Sequence, residues 1–166
     1  MDYNFFLTKF HNSADRLDKK ILHKNKLEVS VGIYVDSVFL KLFKKSWMNN
    51  GEEEASTKTK LFFSIWINDK TMQEKKIFYN IHALKLRQLK GYSITSRDFA
   101  DRFRNKFKNM EQHWENVSVN FGPLTLMEGW VPLNIENMEN TIVNLAKNFL
   151  MIDHLVDETL KTFEKT

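Results

Sequence analysis

The chain has 166 residues, 42% of them apolar and 28% charged, with a net charge of +4, the proportions of a folded globular protein with a sizeable core rather than of a disordered one. It contains no cysteine, which excludes disulfide frameworks, Cys-ligated zinc, iron–sulfur clusters and thiol catalysis. No run approaches the roughly 18–20 apolar residues of a membrane span, and Asp2 stands where a secretory signal needs a basic region, so the expectation is a cytoplasmic protein without a membrane partner.

Residues 3–22 predict a helix, because Tyr3, Phe6, Phe10, Ala14, Leu17 and Ile21 recur every three or four positions. From Leu27 to Val35 the pattern becomes strand-like alternation, and its phase flips at Asp36–Ser37, which requires a bulge or a tight turn. Residues 49–59 read as a flexible acidic loop. Residues 60–68 and 75–89 predict strands, joined through the short DKTMQ as an antiparallel hairpin. Thr95 opens a middle helix that runs to about Trp114, with Asp98 three residues on as a variant of the capping box. Residues 116–121 and 124–133 predict a strand pair broken at Gly122–Pro123, since proline cannot donate to a ladder. Asn134 caps a last helix reaching to about Phe163.

No repeat or linker interrupts this order. The expected architecture is one α+β domain over residues 1–166: a mostly antiparallel sheet, a meander plus a C-terminal hairpin, packed by an N-terminal, a middle and a long C-terminal helix. In the last helix Ile135, Met138, Ile142, Leu145, Phe149, Ile152 and Val156 form a seam of alternating three- and four-residue steps. Thirty residues at about 1.5 Å each make it roughly 45 Å long. Around residues 149–152 it is apolar nearly all the way round. Either the sheet and the first helix cover it, or two copies pair as a homodimer through Phe149, Leu150, Met151 and Leu155.

The charge is unevenly placed. Residues 83–108 hold eight basic and two acidic side chains, whereas residues 109–166 hold three and nine. Lys85, Arg87, Arg97, Arg104 and Lys108 are therefore candidate phosphate contacts of a nucleic-acid-associated protein. On a helical wheel, however, Phe99, Phe103, Phe107, Met110 and Trp114 form a core-facing stripe, with Arg97, Arg104 and Lys108 on the opposite side. Aromatic and basic groups thus do not interleave on this helix as single-strand binding surfaces require. The plain alternative is a solvated face.

The succession helix, three strands, helix, strand resembles the element order of restriction-endonuclease-like nucleases. That resemblance implies carboxylates holding Mg²⁺, from an Asp on one strand and an acid-x-Lys on the next. Here Asp69 and the Glu74–Lys76 triplet stand around a turn, and the strand FYNIHALKLR has no acid. The resemblance therefore implies a degenerate, binding-only relative.

His11, His23, His113 and His154 form no metal-ligand pair, and with five glycines no phosphate-cradling loop is present; no metal or cofactor is expected. His82 shares a strand face with Phe78, Leu84 and Leu86, which makes it a core histidine or, with Tyr79 and Glu128, an acid–base centre. The leading expectation is a non-catalytic interaction protein that associates with itself. Nucleic-acid binding comes second, and an enzyme centred on His82 third.

Overall fold

The N-terminal apolar periodicity folds as two helices rather than one, α1 (Tyr3–Asp15) and α2 (Lys19–Lys24). Asp18 divides them. Its carboxylate accepts from the backbone N–H groups of Lys20 and Ile21 and starts a new helix where the spacing alone predicts continuation. The computed structural model describes residues 1–49 and 59–166. Of the acidic loop expected at 49–59, all but Asn49 and Thr59 lies outside the described residues.

The alternating segment forms β1 (Leu27–Tyr34), and the chain reverses directly into β2 (Ser37–Lys44). The phase flip is a tight turn, because Tyr34 faces Ser37 across Val35–Asp36. β3 (Lys60–Ile67) and β4 (Lys76–Leu84) are antiparallel as expected, but their connection is a one-turn helix, α3 (Asp69–Gln73), held by a reciprocal cap between Asn68 and Thr71. β4 stops well before residue 89. Lys85 turns the chain at φ 50°, and Leu86 leaves the strand to be buried in a 3₁₀ turn.

Thr95 caps the middle helix α4 (Ser96–Phe107), which ends before Trp114 and is followed by a 3₁₀ turn at 111–113. Phe99, Phe103, Phe107 and Trp114 are all buried, as the wheel requires, with Met110 half-buried. Of the predicted C-terminal hairpin only β5 (Thr125–Pro132) is a full strand. Residues 116–121 contribute a single bridge, Ser118 to Glu128. The five strands form an antiparallel meander in chain order, and with the helices they make an α+β fold.

The long C-terminal helix does not exist as one piece. It is α5 (Met138–Phe149) and α6 (Asp153–Lys161), with a turn at 150–152. A straight helix cannot bury a segment that is apolar on all sides against one sheet. The break re-aims the chain so that Phe149 and Ile152 are both fully buried while Met151 faces out. The seam predicted from spacing survives the break from Met138 onward, with Met138, Ile142, Leu145, Phe149, Ile152 and Val156 buried, but its first member, Ile135, lies in a 3₁₀ turn ahead of the helix and is exposed.

All the long helices lie on one side of the sheet. There Phe63 of β3 stacks on Phe149 at 4.5 Å between ring centres, and Tyr79 of β4 meets Trp114 at 5.0 Å. α1 packs against α5 and against β1 and β2, and α4 against α6 and β5. Among the described residues, the other face of the sheet carries no long helix.

Candidate functional site

Successive side chains of a strand point to opposite faces, so the strand register decides what meets on the helix-free face. One row across the sheet reads Gly32, Phe39, Trp66, Phe78 and Trp130. The next row reads Ser30, Lys41, Ser64, Asn80 and Glu128. Beyond it stand Phe62 and His82, which are cross-strand partners. An aromatic row and a polar row thus run side by side over all the strands.

The aromatic row is half-buried: Phe39, Trp66, Phe78 and Trp130 each keep part of their ring surface in solvent. Trp66 stacks on Phe78 at 5.1 Å and 29°. Phe39 lies over Gly32, where an added Cβ would stand 3.1 Å from the ring, so the glycine makes room for it. Lysines sit among the rings. Lys41 Nζ lies 4.6 Å from the centre of Phe39 and 4.5 Å from that of Phe62, Lys60 Nζ 5.8 Å from Phe62, and Lys76 Nζ 4.3 Å from Trp130. Aromatic rings and ammonium groups therefore alternate on this face.

The polar row is internally bonded. Ser64 donates to Asn80, and Asn80 Nδ2 donates to Glu128 Oε1 at 3.1 Å. Glu28, at the edge, pairs with Lys45 at 3.6 Å. His82 lies one row away. Its Nδ1 is 3.4 Å from the carbonyl oxygen of Leu124 and 3.3 Å from Thr125 Oγ1. Burial pulls the His82 pKa below its ordinary value, against the opposing influence of the Leu124 carbonyl and the Glu128 carboxylate.

The expected acid–base group does not converge. Tyr79 points to the helix side, fully buried, and its hydroxyl donates to the carbonyl of Glu115 at 2.6 Å. Glu128 and His82 are on the other side, and the Glu128 carboxylate is bonded to Asn80 rather than to the imidazole. Burial raises the Tyr79 phenol well above its usual range. Asp69 forms an ion pair with the N-terminal ammonium at 3.0 Å, while Glu74 and Lys76 lie 4.0 Å apart. No group of His, Asp and Glu suited to a metal occurs among the described residues.

The basic stretch is dispersed. Lys85, Arg87, Arg97 and Lys108 are exposed, but Arg97 and Lys108 sit at opposite ends of α4, about 16 Å apart at 1.5 Å per residue. Arg104 is committed elsewhere. Its Nε donates to the carbonyl of Leu126, and its Nη2 to those of Phe121, Gly122 and Thr125. Of the expected helix interface, Phe149 and Leu155 are in the chain's own core, Leu150 is half-buried and Met151 is 63% exposed. Met151 borders an open groove of about 650 Å³ lined also by His113, Asn144 and Asn148.

The aromatic row went unseen in the sequence because its members come from four strands and meet only through the register. The signal available was aromatic residues on a single phase of the alternation, Phe62 and Trp66 in β3 and Phe78 in β4, on segments already read as strands. Among the described residues no helix is long and apolar enough to cross a membrane. A scan against family models and searches of curated proteins and of solved structures found no match to this chain.

Proposed function

We propose that the chain is a non-catalytic binding protein, that its ligand-facing surface is the helix-free face of the sheet, and that single-stranded nucleic acid is the ligand class this face fits. One observation carries the reading: the half-exposed rings of Phe39, Trp66, Phe78 and Trp130 alternate with the ammonium groups of Lys41 and Lys76. Bases of any sequence stack on exposed rings, and cations set between the rings attract the backbone phosphates. Among the described residues, Lys41, Lys60 and Lys76 bring three ammonium groups to this face, and the carboxylates of Glu28 and Glu128 there are bonded to Lys45 and Asn80. The reading places the ligand on the sheet rather than on the Lys85–Lys108 stretch, whose Arg104 is occupied by backbone carbonyls.

Fluorescence anisotropy with labelled single- and double-stranded DNA and RNA, at about 50 and 200 mM salt, tests it. Single strands bind more tightly than duplex, affinity falls as salt rises, and Trp130→Ala or Phe78→Ala each costs about 1–3 kcal/mol of binding. No binding at low salt, or binding indifferent to both substitutions, overturns the nucleic-acid reading and leaves the aromatic row as a surface for another class of partner.

A further inference from the structure

The two edges of the sheet are finished differently. Backbone groups alternate along a strand between its two sides, and the Val35–Asp36 turn fixes the phase. Tyr34, Gly32, Ser30 and Glu28 bond to β2, so the N–H and C=O groups of Leu27, Val29, Val31 and Ile33 point away from the sheet. On β5 the same alternation turns Leu126, Glu128 and Trp130 outward, and each meets a partner. The Leu126 carbonyl accepts from Arg104 Nε at 3.1 Å, Ser118 exchanges both backbone bonds with Glu128, and the Trp130 carbonyl accepts from Asn116 Nδ2 at 3.2 Å. Among the described residues, none bonds to the outward groups of β1. β1 also carries no lysine, proline or bulge of the kind that blunts an edge, and Glu28 is its one charged side chain.

We propose that β1 is a contact between two copies of this chain, pairing antiparallel with itself about a two-fold axis through Ser30. One register satisfies every outward group: Leu27 opposite the partner's Ile33, and Val29 opposite the partner's Val31. In that register Ser30 meets the partner's Ser30 and Glu28 meets the partner's Gly32, so no like charges face each other. The match is self-complementary, with aliphatic side chains on one face of the joint and small or single-charge positions on the other. This commits the edge to a second copy rather than to a foreign strand.

The exposed apolar residues agree with it. Ile33 is 46% exposed, Tyr34 72% and Val35 83%, at one end of β1, and Ile21, on the helix that leads into the other end, is 43% exposed. The antiparallel register brings the hairpin tip of one copy beside the α2 end of the other. Val35 also adopts φ 55°, in a turn position that suits glycine and strains a β-branched side chain. An apolar residue held there at a cost in backbone strain fits a tip that is covered in the dimer. The joint leaves the aromatic rows of both copies open, so this proposal stands independently of the ligand assigned to them.

The chain has no cysteine, which makes Ser30→Cys a direct probe. Facing residues of a non-hydrogen-bonded antiparallel pair have Cα atoms about 4.5 Å apart, inside the roughly 4.4–6.8 Å that a disulfide spans. Mild oxidation is expected to give a covalent dimer from Ser30→Cys and none from Glu28→Cys. Light scattering over a concentration series is expected to give a dimer for the wild type and a monomer for Val31→Pro and Ile33→Lys. Residue 31 points its N–H away from β2, so proline spares the internal ladder, and an unchanged circular dichroism spectrum verifies folding. A wild type that stays monomeric throughout overturns the proposal. So does a dimer that survives folded Ile33→Lys, or one in which Ser30→Cys does not cross-link.

Discussion

Arg104 Nε donates to the backbone carbonyl of Leu126 at 3.1 Å, from a helix to the outer edge of the last strand. Its Nη2 gathers the carbonyls of Phe121, Gly122 and Thr125, at 3.1, 3.0 and 2.9 Å. One side chain thus closes the turn around Pro123 and caps the sheet. Arg104→Met should lower the free energy of unfolding by roughly 1.5–3 kcal/mol, the range for hydrogen bonds to a charged group. Lys108→Met, on the exposed end of the same helix, should stay within about 0.5 kcal/mol. Urea denaturation of the two variants checks this, and equal small effects would mean that the guanidinium contacts carry little.

A buried cation ties the sheet to the last helix. Lys44, at the end of β2, is paired with Asp153 at 3.0 Å and Asp157 at 2.5 Å, and Asp157 also accepts from Trp47 Nε1 at 2.7 Å. Burial alone would lower the Lys44 pKa, but the hydrogen bonds its ammonium donates to Asp157 and Asp153, together with their charges, outweigh it and leave the group above its ordinary 10.5. Tyr79 is raised as well, by burial first and then by Glu115. In both, the folded state holds the proton more tightly than the unfolded chain does. Their contribution to stability is therefore complete below about pH 10 and is lost as pH rises through the folded values. Lys44→Met leaves the buried Asp153 carboxylate without its cation and should cost about 3–5 kcal/mol at neutral pH. It should also flatten the alkaline decline, which urea titrations from neutral pH to above pH 10.5 read directly.

The elements were largely legible because their signals are local: alternation in β1, apolar runs bounded by polar turns in β3 and β5, the Phe99–Phe103–Phe107 stripe in α4, the Thr95 cap. The breaks were not. The three- and four-residue spacing runs straight through residues 150–152, so only the need to bury Phe149 and Ile152 together reveals the turn. At the N-terminus the same spacing runs through Asp18, whose capping bonds decide otherwise. The site was hidden for a related reason. In β4 both faces carry large apolar residues, with Ile77, Tyr79, Ile81 and Ala83 on one and Phe78 and Leu84, beside Lys76, Asn80 and His82, on the other. Alternation alone puts Tyr79 and His82, three residues apart, on opposite faces, but it cannot say which face takes the helices, and that decides which of the two is enclosed in the core. Arg104 looked like part of a solvated face because its carbonyl partners come from a turn distant in sequence.

Gly129 lets the ring of Tyr79 lie directly against the β5 backbone. A Cβ there would lie 2.3 Å from the hydroxyl oxygen of Tyr79, 2.5 Å from its Cζ and 3.0 Å from the carbonyl oxygen of Asn116. Tyr79 cannot withdraw, since its ring is enclosed by Phe63 and Trp114 and its hydroxyl is bonded to Glu115. Gly129→Ala is expected to destabilise by about 3 kcal/mol, the upper part of the usual overpacking range. Tyr79→Phe added to it should not rescue, because the ring carbon still clashes; Tyr79→Leu should recover part of the loss. A double-mutant cycle by chemical denaturation separates these outcomes.

His82 sets the acid limit of the helix-free face. Burial lowers its pKa from 6.5, although the Leu124 carbonyl and Glu128 pull the other way, and Lys41 lowers it further. A neutral imidazole is thus favoured by folding. Its contribution is full above about pH 6.5 and is lost as pH falls through the lower folded value. Protonation there would put a second cation beside Lys41 and against the Phe62 ring, which lies 5.3 Å from the imidazole. His82→Gln, which can still hydrogen-bond to Leu124 but cannot titrate, should remove this step from the stability profile between neutral pH and the carboxylate range. The measurement is the urea midpoint across that interval, with the imidazole proton shifts of the wild type as a direct titration. A midpoint in the shifts at or above the ordinary histidine value would refute the assigned direction.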